Sequence, residues 1–256
     1  MKGKNNVNDD SEKAKKEVAF RTNDTVKLSQ LSNDDSIFVR REVAYNDNTP
    51  AEILLKLASD DSIYVRRAVA SNIHVTVDIL RKLANDEDFE TRSLVAQNKH
   101  MPEDVLSKLA DDEFFNVRYC VAMNEHTPVD VLSRLAEDSC VSVRFQVAIN
   151  PKTPGEVLSR LAFDKDDHVR RTVVMNPNIP QQVVDDLICD EDSYVRHLVA
   201  KKITRPDLLA ELSKDENCGV RYAVARNLHT TTETLKELAS DENQDIREVV
   251  SYRLNK

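Results

Sequence analysis

The sequence predicts an all-α chain of stacked two-helix repeats, and three observations carry that expectation. Nine arginines (Arg40, Arg66, Arg92, Arg118, Arg144, Arg170, Arg196, Arg221 and Arg247) recur every 26 residues, with 25 between Arg196 and Arg221. An aspartate stands six residues before each one: Asp34, Asp60, Asp86, Asp112, Asp138, Asp164, Asp190, Asp215 and Asp241. Six of the eight prolines share one slot of the same period, and no stretch alternates apolar and polar residues as a strand does. A fixed period of this size marks units that bury their apolar faces on one another, which favours a solenoid over a pocket enzyme.

Residues 48–73, NTPAEILLKLASDDSIYVRRAVASNI, serve as the type unit. Thr49-Pro50-Ala51-Glu52 reads as a helix start, with Thr at the N-cap, Pro at the first helical position and Glu completing a capping box. Leu54, Leu57 and Ala58 then give the apolar stripe of a short first helix. Asp60 is expected to cap the second helix, and the position after it, acidic in seven of nine copies, suits the positive end of that helix. Ile63, Val65, Val69 and Ala70 form the second helix's buried side, and Asn72 is placed at a left-handed C-cap.

Two irregularities stand out. Ala14-Lys15-Lys16-Glu17-Val18-Ala19 matches Val39–Ala44 position for position, so a degenerate capping copy over 14–33 opens one repeat array covering 14–256, behind a disordered tail at 1–13. Near the other end one residue is missing between Pro206 and Val220, and Lys202 replaces Asn, so a change of curvature is expected there.

A net charge of −9 argues against a general nucleic-acid binder. Cys120, Cys140, Cys189 and Cys218 occupy different slots and form no C-x-x-C pair, which points away from disulfides and metal knuckles and toward a reducing cytoplasm. No apolar run approaches the length of a membrane span. With three glycines there is no phosphate-binding glycine loop, and no spacing assembles a catalytic group. No enzyme activity, cofactor or metal is expected, and the chain is read as a monomer.

The recurring string, as in VRFQVAINPKTPGEVLSRLAFD at 143–164, resembles the leucine-rich repeat variant, a relative of HEAT repeats, and the Asp-to-Arg spacing is similar to that of HEAT repeats. The resemblance covers about residues 14–256. It implies a right-handed α-solenoid of about nine HEAT-like repeats, α/α or with a partly 3-10 outer helix, whose second helices line a concave side. One member of that family carries an iron–sulfur cluster on N-terminal cysteines, and here that segment has none.

Two sets of residues stand out against this frame. The first is structural. Asp60, Arg66, Asp86, Arg92, Asp112, Arg118, Asp138, Arg144, Asp164 and Arg170 are expected to form a ladder, each Arg reaching the Asp of an adjacent repeat, because residues six apart do not face each other on one helix. The second is the outward face of the second helix, the slots of residues 64, 67 and 71, which lie about 200–260° from Val65 on the wheel. All six tyrosines fall on these slots, with five Arg or Lys against three acidic residues. Tyr45, Tyr64, Arg67, Tyr119, Phe145, Arg171, Tyr194, His197, Lys201, Tyr222 and Arg226 are the candidate partner-binding residues, since Tyr and Arg are enriched at interface hot spots. The expected partner is a protein or extended peptide, acidic or phosphorylated. The alternatives are a DNA-repair or other nucleic-acid-binding module and a passive spacer in a larger assembly. His74, His100, His126 and His229 share a loop slot, but helices 8–10 Å apart are too widely spaced for these side chains to share an ion, which assigns them loop roles.

Overall fold

The computed structural model describes residues 4–255, with side chains from Ser11 onward, and its described elements are helical throughout. The chain divides into two units, 1–131 and 132–256. The first holds α1 (Lys4–Arg21), α2 (Thr25–Leu31), α3 (Ile37–Tyr45), α4 (Ala51–Leu57), α5 (Ile63–Ser71), α6 (Val77–Leu83), α7 (Phe89–Gln97), α8 (Glu103–Leu109) and α9 (Phe115–Met123). The division falls within α10 (Val129–Leu135). The second unit continues with α11 (Val141–Ile149), α12 (Gly155–Leu161), α13 (Asp167–Met175), α14 (Gln181–Asp186), a 3-10 turn at Leu187–Cys189, α15 (Ser193–Lys202), α16 (Pro206–Leu212), α17 (Cys218–Arg226), α18 (Thr232–Leu238) and α19 (Gln244–Leu254). Within each unit, consecutive second helices pack side by side, as α3, α5 and α7 do, or α15, α17 and α19. Of the stretch read as a tail, residues 1–3 lie outside the described residues and α1 begins at Lys4.

A seven-residue helix cannot hold itself together in water, so burial decides these elements. Leu54, Leu57 and Ala58 of the first helix are buried, as are Val65, Ala68, Val69 and Ala70 of the second. Ile63, read as core, is only half-buried, because it lies about 160° around the helix from Val65, at the edge of the buried side.

The predicted caps at Thr49 and Asn72 differ from what is observed, for one reason: their polar side chains serve other segments. Pro50, not Thr49, is the N-cap of α4, and Thr49 Oγ1 instead donates to the Val43 carbonyl at 2.6 Å. Thr153 does the same to Val147, and Thr230 to Val224, both at 2.6 Å. Asn72 is extended, at φ −70°, and no described non-glycine residue has positive φ. Its amide donates to the carbonyls of Ala44 (2.8 Å) and Asn46 (3.2 Å) in the preceding repeat, while its Oδ1 accepts the His74 amide at 2.8 Å. Asn46, Asn124, Asn176 and Asn227 bridge backward in the same way. Orphan carbonyls at a helix end are thus satisfied from the next repeat.

Where Lys202 replaces Asn, its ammonium donates to the equivalent carbonyls of Val174 (2.9 Å) and Asn176 (3.0 Å), and burial pushes its pKa below the ordinary value. Arg253 fills the same role on Ala225 and Asn227. The missing residue is absorbed locally. Helix α15 has ten residues against nine in α13, while the connection 203–205 has three against five in 46–50.

Candidate functional site

The arginine column lies among these buried elements. Arg66 donates Nη1 to the Asp60 carbonyl at 2.8 Å, the residue six back, and so closes the entry to its own helix. Its Nε and Nη2 then bind both oxygens of Asp86, in the next repeat, at 2.6 and 3.0 Å. The same two-way contact joins Arg40 to Asp60 and Arg92 to Asp112 in the first unit. In the second unit it joins Arg144 to Asp164, Arg170 to Asp190, Arg196 to Asp215 and Arg221 to Asp241. Arg118 donates to the carbonyls of Asp112 and Glu113, and Asp138 accepts the Cys140 amide. In the opening copy Lys15 takes the arginine's place, at 2.7 Å from Asp34.

Each aspartate also accepts a backbone amide two residues on, as Asp60 does from Ser62 at 2.9 Å. This turn leads into the second helix without capping it, and Ser62 is the N-cap residue. Burial opposes ionisation of Asp164, but bonds from Arg144 and the Asp166 amide outweigh it and hold the carboxyl below its ordinary pKa. In three copies the acidic residue after the Asp, read as a complement to the helix dipole, also joins the rung. Glu87, Glu191 and Glu242 each accept from the Nη2 of the preceding arginine at 3.0–3.1 Å.

The outward face of the second helices is accessible, though unevenly. Tyr45, Tyr64 and Tyr194 are exposed, the last two by 57% and 53%, whereas Tyr119, Phe145 and Tyr222 are half-buried. Its cations fall into two classes. Arg67 is committed to Asp88, with two bonds at 2.7 Å, and to Glu90. Arg171 is committed to Asp192 and Asp167, and Arg41 to Glu42. Among the described residues no carboxylate pairs with Lys201 or Arg226. These two line a groove of about 390 Å³ with His197, Tyr222, Ala223 and Asn227. A neighbouring groove of about 420 Å³ shares Tyr222 and Arg226 and adds Glu248, Val249, Tyr252 and Arg253. The His197 ring stacks on Tyr194 at 5.6 Å, its Nδ1 lies 2.7 Å from the Gly219 carbonyl, and Arg226 lies over the Tyr222 ring at 5.8 Å.

Residue-type counting missed a neighbouring row. The slot of Ile63 also holds Ile37, Phe89 and Phe115 in the first unit, and Ile37 and Phe115 are exposed. Phe89 stacks on Phe114 at 4.7 Å, and a groove of about 250 Å³ is lined by Ile37, Phe38, Arg41 and Tyr64. On a 3.6-residue wheel this slot lies about 160° from Val65, at the border between the buried side and the outward face.

Of the loop histidines, each donates its backbone amide to an Asn side chain, at 2.8–2.9 Å, and the His126 ring lies 3.8 Å from the Glu125 carboxylate. Asp166, Asp167 and His168 bring three metal-ligand atoms within 4.8 Å. Arg171 already holds Asp167 at 2.6 Å, however, and Asp166 accepts the His168 amide at the helix start. No described helix is long and apolar enough to cross a membrane.

Among solved structures, a leucine-rich repeat variant with a novel repetitive structural motif is 26% identical to this chain, with a TM-score of 0.71 over 86% of this chain and 88% of that one. This chain has the leucine-rich repeat variant fold. The Escherichia coli protein YibA also matches, at 16% identity and a TM-score of 0.52, over 88% of this chain and 98% of that one, and shares the fold alone. No protein-family profile and no curated protein matches the chain. In this α-solenoid fold the Asp, Arg and Asn columns bind repeat to repeat, which leaves the second-helix face to differ between copies.

Proposed function

We propose that this leucine-rich repeat variant fold serves as a non-enzymatic scaffold that binds an extended acidic or phosphorylated peptide along the exposed face of its second helices. The observation that carries the reading is the pair of cations, Lys201 and Arg226, standing without carboxylate partners beside Tyr222 in a chain of net charge −9. In a molecule where Arg66, Arg67, Arg144, Arg170 and Arg171 all hold internal acids, two uncommitted cations around one groove support recognition of an external anion. Exposed tyrosines beside them supply rigid amphipathic contact area. The reading places the chain in the cytoplasm as a monomer, where its four cysteines stay reduced.

The test is affinity purification with the wild type and with a Tyr64→Ala/Tyr194→Ala variant, both changes being at exposed sites. The variant should melt at the wild-type temperature and lose the partners that the wild type retains. A variant that recovers the same partners overturns the reading.

A further inference from the structure

The two grooves of the second unit share a wall, and that arrangement specifies more than charge. Tyr222 and Arg226, both on α17, line the groove toward α15, which contains His197 and Lys201, and also the groove toward α19, which contains Val249 and Tyr252. The first groove is walled by Lys201, Arg226 and His197. In the second, the Tyr222, Val249 and Tyr252 side chains form the apolar part, and Gln244 Nε2 already donates to Glu248 at 2.8 Å.

Lys201 and Arg226 both lie in the last turn of their helices, where a cation often serves the terminal carbonyls. Here other side chains fill that role. Asn227 donates to Ala200 and Ile203, and Arg253 donates to Ala225 and Asn227. The two cations therefore remain available.

We infer, resting on the proposed peptide-binding role, that the face from α15 to α19 reads two side chains three residues apart. An anionic group, carboxylate or phosphate monoester, sits between Lys201 and Arg226, and an aliphatic or aromatic side chain packs on Tyr222, Val249 and Tyr252. The spacing follows from helix geometry. Packed helices lie about 8–10 Å apart. A polyproline-II segment rises about 3.1 Å per residue with three residues per turn, so it presents the same side every three residues, about 9.3 Å along. A fully extended strand presents the same side every two residues, about 6.6 Å along, and falls short of the next groove.

Fluorescence anisotropy of the full chain with labelled synthetic peptides tests this. The peptides carry phosphoserine, Glu or Ser two, three or four residues from a Leu in a proline-rich background, in both orders. A single-stranded oligonucleotide and inorganic phosphate complete the set. The three-residue spacing with phosphoserine or Glu should bind at least about tenfold tighter than the other spacings and than the Ser peptide. Lys201→Gln/Arg226→Gln should reduce it to the Ser level, Lys201→Arg should retain it, and Lys152→Gln, in the exposed loop before α12, should leave it unchanged. Phosphoserine against Glu separates the two sources of the anion. Binding that ignores spacing, or that survives Lys201→Gln/Arg226→Gln, overturns the register and leaves peptide binding standing. Tighter binding of the oligonucleotide, or no binding by any peptide, overturns both.

Discussion

The two units use one backbone repeat and differ in whether they leave any of these outer cations open. In the first, Arg41 and Arg67 are held by Glu42, Asp88 and Glu90, and the adjacent slot is apolar, with Ile37, Ile63, Phe89 and Phe115. In the second, that slot holds Val141, Asp167, Ser193, Cys218 and Gln244. Arg171 is still held there, but Lys201 and Arg226 are not. Residue type is therefore a poor guide to function on this face. The acids at positions 88 and 192 make Arg67 and Arg171 internal, and where no such acid reaches, the cation stays open to a ligand.

The ladder is common to both units, so acid should act on both. Asp60 and Asp112 in the first unit, and Asp164 and Asp215 in the second, are raised by burial but lowered further by arginine and amide bonds, with a net fall below the ordinary value. A carboxyl depressed in this way contributes stability that is complete above its unfolded value, near 3.8, and is lost as pH falls through its folded value. Melting temperature should thus hold steady above about pH 5 and fall steeply below about pH 4. A unit that kept its helical circular dichroism at pH 2 while the other lost it would break the equivalence.

Single rungs come next. Arg66→Ala and Arg144→Ala each strand a buried aspartate, and each should cost about 3–5 kcal/mol in denaturant unfolding. Arg144 is 6% exposed, and the Asp164 side chain it leaves behind is also 6% exposed. A loss confined to one of these two variants would show that the ladder carries different weight in the two units.

Smaller effects sharpen the contrast between held and open cations. Arg67→Gln should cost about 1–3 kcal/mol, because Asp88 is left half-satisfied in a site where Arg67 now depresses its pKa. Lys201→Gln should change stability by less than about 0.5 kcal/mol. Equal losses in the two variants would mean that Lys201 has an internal role. Lys202→Asn restores the side chain common at that slot and should be neutral within about the same margin, whereas Lys202→Met, which removes the ammonium's bonds to the Val174 and Asn176 carbonyls, should cost about 1–3 kcal/mol.

The repeat, its helical pairing and the register of its columns were legible because they depend on period and polarity alone. Two other features were not. Asn72 and Thr49 look like caps because capping rules consider only neighbours within a few residues, whereas the Asn72 amide bonds residues 26 and 28 back. Likewise, Arg67 looks like an open cation until the fold brings Asp88, 21 residues on, within 2.7 Å. The acid that neutralises it lies in the loop before the next second helix, a position that wheel analysis leaves out. Arg41, Arg67 and Arg171 occupy the slot of residue 67, whereas Lys201 and Arg226 occupy that of residue 71, about 40° away on the wheel, a difference that counting residue types over the whole face does not weigh.

The forward reach of each ladder arginine has a consequence for how such a chain can grow or shrink. A 26-residue segment such as the one holding Arg66 and Asn72 brings one outgoing guanidinium fork, one incoming carboxylate and one backward-reaching amide. Duplicating or excising such a cassette in register leaves its fork with an acceptor and the carbonyls it serves with a donor. A segment of another length breaks that bookkeeping unless a connection yields, as 203–205 does for the 25-residue repeat. Length variation in this array is therefore quantised in whole repeats, while the outer face of each cassette can change with little effect on its joints.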